Sequence, residues 1–207
     1  MKPLTVPLLF MALFSNNIKA QSIPANAEDI SPLLIGETLP KAKLQDSKGN
    51  AFELNDILKT KPTVLVFYRG GWCPYCNLQL SGLASIEKDI LALGYQIVAI
   101  SPDDYQNLKS TEEKDTINYQ LYSDQDGKLI QEIGIAFKTS LIIKGYIATK
   151  NQKGKTSEVI PVPTVMIVNT KGDILFEYIN PNYEQRISGD MLLAVLKQSA
   201  KTPTVVF

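Results

Sequence analysis

The only two cysteines of the 207-residue chain stand where one sequence pattern gives way to another. Before them, residues 62–68 form a continuous apolar and β-branched run, which is typical of a central strand buried on both faces. After them, from Pro74 onward, apolar residues recur at helical spacing. Cys73 and Cys76 are therefore expected at the amino end of a helix that follows a buried strand.

The start of a helix is a place that activates a cysteine. A free thiol has a pKa of ~8.5, and the unpaired N–H groups and positive dipole end of a helix can lower it to roughly 3.5–7.5. Pro74 suits the first helical turn, and Gly70 and Gly71 allow the preceding loop to turn sharply. A disulfide at this spacing would close a small loop and restrain the unfolded chain little. The pair is therefore interpreted as redox-active rather than as a structural crosslink.

The composition excludes several other kinds of catalytic and binding site. Histidine is absent, which excludes histidine-based zinc sites, Cys-His pairs and Ser-His-Asp triads. Two cysteines cannot build a four-thiolate zinc site, so we expect neither a metal nor a cofactor. Basic and acidic residues are equal in number, at 21 each, so no basic excess indicates nucleic acid as a partner.

The first twenty residues resemble a secretory signal in pattern. Lys2 supplies a positive start, residues 4–14 are apolar, and Ala20 offers a small residue before a cleavage point. The apolar run is too short to span a bilayer of ~30 Å; the alternatives are a poorly ordered tail or an uncleaved anchor. We expect residues 1–20 to be a signal peptide, 21–35 a linker and 36–200 one domain. The protein would then be exported, periplasmic or secreted, without a stable membrane span after signal removal, in a compartment where disulfides persist.

The rest of the chain alternates between strand and helix patterns. A β-hairpin is predicted over residues 41–54, and residues 138–156 are interpreted as an insertion. Further strands are predicted at residues 62–68, 95–100, 121–122, 162–168 and 174–178, and helices at 74–90, 104–114, 128–133 and from 188 onward. This order predicts an α/β fold with a central mixed sheet flanked by helices and an N-terminal β-hairpin extension.

The segment 67–76, Phe-Tyr-Arg-Gly-Gly-Trp-Cys-Pro-Tyr-Cys, resembles the active-site stretch of the AhpC/TSA peroxiredoxins, specifically their peroxiredoxin-like branch with a Cys-x-x-Cys. The resemblance extends over about residues 34–198 and includes residues 99–103, 162–164 and 180–183. Thioredoxins and glutaredoxins are similar over a shorter part: Trp72, the Cys-Pro-Tyr-Cys, and Pro163 with Thr164. The resemblance implies a thioredoxin-like fold and a cis peptide bond before Pro163.

The two resemblances assign different nucleophiles. Aligned with peroxiredoxins, Cys76 falls on the peroxidatic cysteine, Cys73 on the usual threonine and Arg69 on the usual proline. This implies a thiol-dependent peroxidase in which Cys76 reduces a hydroperoxide, Cys73 resolves the sulfenic acid as a disulfide, and a thioredoxin-type reductant restores the pair. Because this resemblance covers more of the chain, it is the preferred interpretation.

Two alternatives stay open at this point. Aligned with thioredoxins, Cys73 is the attacking thiolate of an exported thiol–disulfide oxidoreductase that acts on protein disulfides, and Cys76 resolves the mixed disulfide. A redox-inert binding domain that kept the fold is the second alternative, although both cysteines are retained.

Several residues near the cysteines are expected to form the substrate pocket: Arg69, Trp72, Tyr75, Pro163 and Thr164. Peroxiredoxins usually carry an arginine near the later strand, and residues 160–168 contain none, so Arg69 is expected to supply that charge from the other side. Arg186, the only other arginine, is a weaker candidate for the site, since most such side chains form solvated pairs.

Overall fold

The computed structural model of the protein describes residues 22–150 and 152–201. The predicted signal peptide lies outside the described residues, and among the residues described no helix is both long and apolar enough to cross a membrane. Residues of the predicted linker form backbone hydrogen bonds with the domain. The Leu33 N–H donates to the Ile133 carbonyl at 3.0 Å, and the Lys138 N–H donates to the Pro24 carbonyl at 2.9 Å.

A seven-stranded mixed sheet forms the centre of the fold, with a separate two-stranded sheet beside it. The strands are β1 (Lys43–Gln45), β2 (Ala51–Glu53), β3 (Thr63–Phe67), β4 (Gln96–Ser101), β5 (Gln120–Ser123), β6 (Ala136–Lys138), β7 (Val159–Pro161), β8 (Thr164–Val168) and β9 (Ile174–Ile179). The large sheet has the order β2-β1-β5-β4-β3-β8-β9, and the small one pairs β6 with β7. Strands β3, β4 and β5 are parallel, whereas β8 and β9 are antiparallel to their neighbours. The predicted mixed sheet and N-terminal hairpin are confirmed.

Helices cover both faces of this sheet. They are α1 (Leu54–Leu58), α2 (Pro74–Ser85), α3 (Glu87–Ala92), α4 (Tyr105–Asp115), α5 (Lys128–Glu132), α6 (Leu141–Ala148) and α7 (Gly189–Lys201). Successive side chains of a strand point to opposite faces. In β3, Val64 and Val66 accordingly join the core with Leu80 of α2, while Leu65 joins the other core with Leu129 of α5. Burial on both faces explains why this strand is continuously apolar in sequence.

The parallel strands β3 and β4 end at the same edge of the sheet. The Tyr68 N–H, one residue past β3, donates to the Ile100 carbonyl at 3.0 Å, and the Asp124 N–H donates to the Ser101 carbonyl at 2.8 Å. The segments that follow β3 and β4 therefore leave the sheet side by side. This edge is where the two cysteines lie.

The predicted helix over residues 74–90 is in fact two helices, α2 and α3, that meet at Ile86. The Ser85 hydroxyl donates at 2.6 Å to the Gly82 carbonyl, which a continuous α-helix would use to accept the Ile86 N–H. The Ile86 N–H donates instead to the Leu83 carbonyl at 3.2 Å. The sequence prediction was wrong here because serine competes locally for backbone partners.

The predicted insertion contains ordered structure that its sequence did not reveal. Within residues 138–156 lies α6, whose N-cap Ser140 accepts the Ile143 N–H at 3.3 Å. Leu141 and Ile142 are each 85% exposed, so the first turn of α6 lacks the buried stripe by which amphipathic helices are recognised. Strand β7, which pairs with β6, was likewise not predicted.

The cis peptide bond expected before Pro163 is wrong, because no peptide bond of the described residues is cis. Pro163 joins β7 directly to β8, and the Val162 N–H donates to the Ile135 carbonyl at 2.8 Å as the chain passes from one sheet to the other. An extended path of this kind suits a trans bond, whereas cis prolines are typical of tight turns.

Candidate active site

The loop between β3 and α2 requires glycine at two positions. Gly70 has a φ of +143°, and a Cβ there would clash with the Trp72 indole and the Asp103 carboxyl. A Cβ on Gly71 would clash with the Thr111 hydroxyl of α4. The predicted role of both glycines is confirmed, since only glycine leaves room for the neighbouring helix and carboxyl.

The loop delivers Cys73 to the N-cap of α2 and Cys76 to its first turn. The Cys73 carbonyl accepts the N–H groups of Cys76 and Asn77, each at 3.1 Å, which begins the helix. Both cysteines are free thiols, and both side chains are buried, Cys76 completely. The arrangement holds two reduced sulfurs together at the positive end of a helix.

The environment lowers the pKa of one thiol and raises that of the other. Hydrogen bonding from the Cys76 thiol lowers the pKa of Cys73 to about 6 despite burial, with help from the Cys76 backbone N–H and the positive charges of Arg69 and Arg186. Burial raises the pKa of the Cys76 thiol well above its ordinary value, and its hydrogen bond to Cys73 raises it further. The reduced pair therefore carries its negative charge on Cys73 at neutral pH.

Two arginines face this charge from different elements. Arg69 is buried in the loop after β3, and its guanidinium carbon lies 5.1 Å from the ring centre of Trp72 and 4.6 Å from that of Tyr183. Arg186, just before α7, places Nη2 3.9 Å from Cys76 Sγ and donates to the Tyr183 carbonyl. The ring contacts hold Arg69 in place, and among the residues that the structure describes no carboxylate forms an ion pair with it.

An open cavity of about 520 Å³ lies over Cys73. Its walls come from the cysteine loop, from α6 and from the segments around Pro163 and Tyr183. The lining residues are Ala27, Glu28, Arg69, Trp72, Cys73, Pro74, Tyr75, Phe137, Ile142, Ile143, Tyr146, Pro163, Pro181 and Tyr183. Cys76 is not among them, so a small molecule in this cavity meets Cys73 first.

Asp103 is a buried carboxyl behind the loop. Its Oδ2 accepts the Gly71 N–H at 2.7 Å, and the Trp72 indole also hydrogen-bonds to it. Burial raises the pKa of Asp103 to about 7, more than these hydrogen bonds lower it. Asp103 therefore ties the loop to the end of β4 and changes charge near neutral pH.

The chain matches the family model described as "AhpC/TSA family" over residues 35–176. It belongs to the AhpC/TSA family. Among curated relatives, it is 28% identical to "Peroxiredoxin Bcp" of Escherichia coli K12 over 117 residues, which cover 56% of this chain and 74% of the relative. It is 30% identical to "Peroxiredoxin bcp1" of Schizosaccharomyces pombe over 112 residues, which cover 54% of this chain and 57% of the relative.

Solved structures that superpose on most of this chain have the same fold as its AhpC/TSA domain. Peroxidoxin BcpB of Mycobacterium tuberculosis superposes with a TM-score of 0.61 at 21% identity, covering 79% of this chain and 96% of the other. Reduced Prx3 of Vibrio vulnificus superposes with a TM-score of 0.68 at 18% identity, covering 80% and 99%. The predicted thioredoxin-like fold, with a central mixed sheet flanked by helices, is confirmed.

The structure brings most of the predicted pocket residues of this family member together. Arg69, Trp72, Tyr75 and Pro163 all line the cavity with Cys73. Arg186, the weaker candidate, approaches the sulfur of Cys76.

Thr164 is a different case. It is buried in β8 outside the cavity lining, and its hydroxyl donates to the Val162 carbonyl at 2.9 Å. A hydroxyl has one proton to donate, so this bond withholds it from the sulfurs.

Sequence reasoning missed Asp103, Tyr183 and the contribution of α6. Asp103 had a usable signal, because it follows a predicted strand parallel to the one that ends at the cysteines, and parallel strands share an edge. Tyr183 lies in the segment 180–183 that the family resemblance includes, whereas Ile143 had no signal, since its contact with the site depends on how distant segments pack.

Replacing Arg186 with methionine is expected to raise the pKa of Cys73 by roughly half a unit to one unit, because a positive charge near the thiolate is lost. The pH dependence of alkylation by iodoacetamide measures this, with a wild-type midpoint near pH 6. Arg186→Lys should restore the midpoint in part, and Lys171→Met, in the turn after β8, should leave it unchanged. An unshifted midpoint in Arg186→Met would remove Arg186 from the site.

Asp103 is expected to make stability depend on pH. Its pKa of about 7 in the folded state lies above the ordinary aspartate value, so the neutral form stabilises the fold at low pH. This contribution is lost as the pH rises towards 7. Urea unfolding at pH 5 and pH 8 measures this. The free energy of unfolding of Asp103→Asn, relative to that of the wild type, should increase from pH 5 to pH 8 by on the order of 2 to 4 kcal/mol. The exposed control Asp190→Asn should show no such gain; an equal gain would contradict the assignment.

Proposed function

We propose that the protein is a thiol-dependent peroxidase in which Cys73 attacks the peroxide and Cys76 resolves the product. One observation carries this proposal: the thiol with a pKa of about 6 is the one that lines the open cavity. Membership of the AhpC/TSA family and the peroxiredoxins among its relatives support the same chemistry.

In the first step the Cys73 thiolate attacks one oxygen of a hydroperoxide. A sulfur–oxygen bond forms, the O–O bond breaks, and the released alkoxide takes a proton to leave as an alcohol, or as water from hydrogen peroxide. Cys73 becomes a sulfenic acid. Arg69 and Arg186 stabilise the thiolate, and Arg69, which lines the cavity, brings positive charge to the oxygen that develops negative charge.

In the second step the Cys76 sulfur attacks the Cys73 sulfenic acid. A disulfide forms, and the hydroxyl leaves as water with the proton of the Cys76 thiol. An external dithiol of the thioredoxin type then reduces the disulfide and is itself oxidised. Burial suits Cys76 to this role, because a protonated, enclosed thiol does not compete for the peroxide.

This order reverses the one that the alignment with peroxiredoxins implies, in which Cys76 attacks first. The feature that favours Cys76 is Arg186, whose Nη2 lies 3.9 Å from its sulfur. Its complete burial and raised pKa weigh against it. Cys73 is more readily ionised and, unlike Cys76, lines the cavity, so we place the first attack there.

A second candidate function is thiol–disulfide exchange by an exported oxidoreductase. It is favoured by Pro163, which lines the same cavity as Cys73 and would lie against an extended substrate chain. The attacking thiolate is again Cys73, and the substrate would be a protein disulfide rather than a peroxide. Export itself remains a proposal that rests on the pattern of residues 1–20.

The variants Cys73→Ser and Cys76→Ser separate these possibilities. Peroxide consumption with a thioredoxin-type reductant, sulfenic acid trapped with dimedone, and reduction of a model protein disulfide are measured for each variant and the wild type. We expect Cys76→Ser to form a sulfenic acid on Cys73 at the wild-type rate. We expect Cys73→Ser to react about 100-fold more slowly at pH 7, since its remaining thiol is mostly protonated.

Other outcomes point elsewhere. Full-rate sulfenic acid on Cys76 in the Cys73→Ser variant would establish the order implied by the alignment. A wild type that ignores peroxide and reduces protein disulfides would establish the oxidoreductase. A wild type that loses no thiol with either substrate would leave a redox-inert binding domain.

A further inference from the structure

Helix α6 exposes apolar side chains that the domain does not cover. Leu141 and Ile142, in its first turn, are each 85% exposed, and Tyr146, one turn later, is 40% exposed. Only Ile147 is buried, which fixes the opposite face of the helix against the domain. Leu141 and Ile142 therefore form a small apolar surface that the domain leaves uncovered, and Tyr146 extends it.

The segment around α6 is strongly basic in an otherwise balanced chain. Residues 138–156 contain no aspartate or glutamate, and their lysines are Lys138, Lys144, Lys150, Lys153 and Lys155. Lys144 pairs with Glu158 at 2.6 Å. Within the described part of the chain, none of the other four forms an ion pair, and all four are exposed. Two of these exposed, unpaired lysines, Lys138 and Lys150, thus lie just before and just after α6 in the sequence.

The apolar surface is continuous with the cavity over Cys73. Ile142, Ile143 and Tyr146 of α6 line that cavity, and Tyr146 packs edge-on against Trp72 with ring centres 6.2 Å apart. The Lys150 ammonium lies 4.5 Å from the centre of the Tyr146 ring, which places one of the basic groups directly beside the apolar surface. A surface that contacts Ile142 and Tyr146 of α6 therefore also lies at the mouth of the cavity.

We propose that α6 docks on an anionic lipid surface. An exposed apolar helical turn with unpaired lysines at both ends of the helix suits contact with a membrane interface. Each exposed lysine adds attraction to anionic headgroups. A protein partner fits less well, because lysine is depleted in protein–protein interfaces. The helix is short, so the contact is shallow, reversible and dependent on salt.

Docking of this kind is independent of the redox chemistry proposed above. It uses no sulfur, so Cys73→Ser should bind a lipid surface as well as the wild type does. It would place the mouth of the cavity close to the lipid surface, because Ile142 and Tyr146 belong both to the exposed apolar surface and to the cavity lining.

Co-sedimentation of the full-length protein with vesicles tests the proposal. Vesicles of phosphatidylcholine with phosphatidylglycerol should bind the protein, and vesicles of phosphatidylcholine alone should bind it much more weakly. Leu141→Ser with Ile142→Ser should reduce binding on the order of tenfold. Each of Lys150→Gln, Lys153→Gln and Lys155→Gln should reduce it roughly fivefold, and added salt should weaken the wild type.

The matched control is Leu78→Ser, which removes a leucine that is 71% exposed on α2 and should leave binding unchanged. Circular dichroism checks that each variant is folded. Leu8→Ser with Leu9→Ser tests whether the apolar run at residues 4–14 is responsible instead. Three results would overturn the proposal: no preference for anionic vesicles, binding lost in the Leu8 and Leu9 variant but kept in the α6 variant, or a wild-type dimer that the α6 variant dissociates without any vesicle binding.

Discussion

The chain must leave a strand that is buried on both faces and begin a helix between Phe67 and Pro74, beside the parallel strand β4. Everything at the site follows from this constraint. The turn is tight enough to require glycine at Gly70 and Gly71, and the Asp103 carboxyl at the end of β4 accepts the Gly71 N–H. The first residue that the turn can offer to the helix end is Cys73.

Because the chain contains no histidine, no imidazole activates the thiol of this site. The thiolate is held by a hydrogen bond from the second cysteine, by backbone N–H groups and by two arginines. These groups stabilise negative charge on the sulfur. Asp103, whose pKa is about 7, takes up a proton near neutral pH, and its negative charge opposes ionisation of Cys73. The protonation state of the Asp103 carboxyl therefore affects how readily the Cys73 thiol ionises.

The sequence predicted those parts of the fold that depend on local pattern. The buried strand and the closing hairpin have a recognisable residue pattern, and the start of α2 is marked by Pro74 in its first turn. The final helix has a capping residue, Ser188, whose hydroxyl accepts the Met191 N–H at 3.2 Å. Predictions failed where tertiary packing, or a side chain that competes for a backbone hydrogen bond, determines the local structure. Ser85 divides the helix predicted over residues 74–90 into two. Helix α6 was not predicted, because its first turn is exposed and lacks an amphipathic pattern. The cysteine pair was predictable, whereas the choice between its members depends on burial and on which sulfur meets the cavity.

The central claim is that the reduced pair carries its charge on Cys73. Titration of the cysteine ¹³Cβ chemical shifts in the reduced, selectively labelled wild-type protein from pH 4 to pH 10 measures each sulfur separately. The Cys73 signal is expected to titrate near pH 6, while the Cys76 signal stays at its protonated position beyond pH 9. Ionisation of Cys76 before Cys73, or a shared midpoint near the ordinary value of ~8.5, would contradict it.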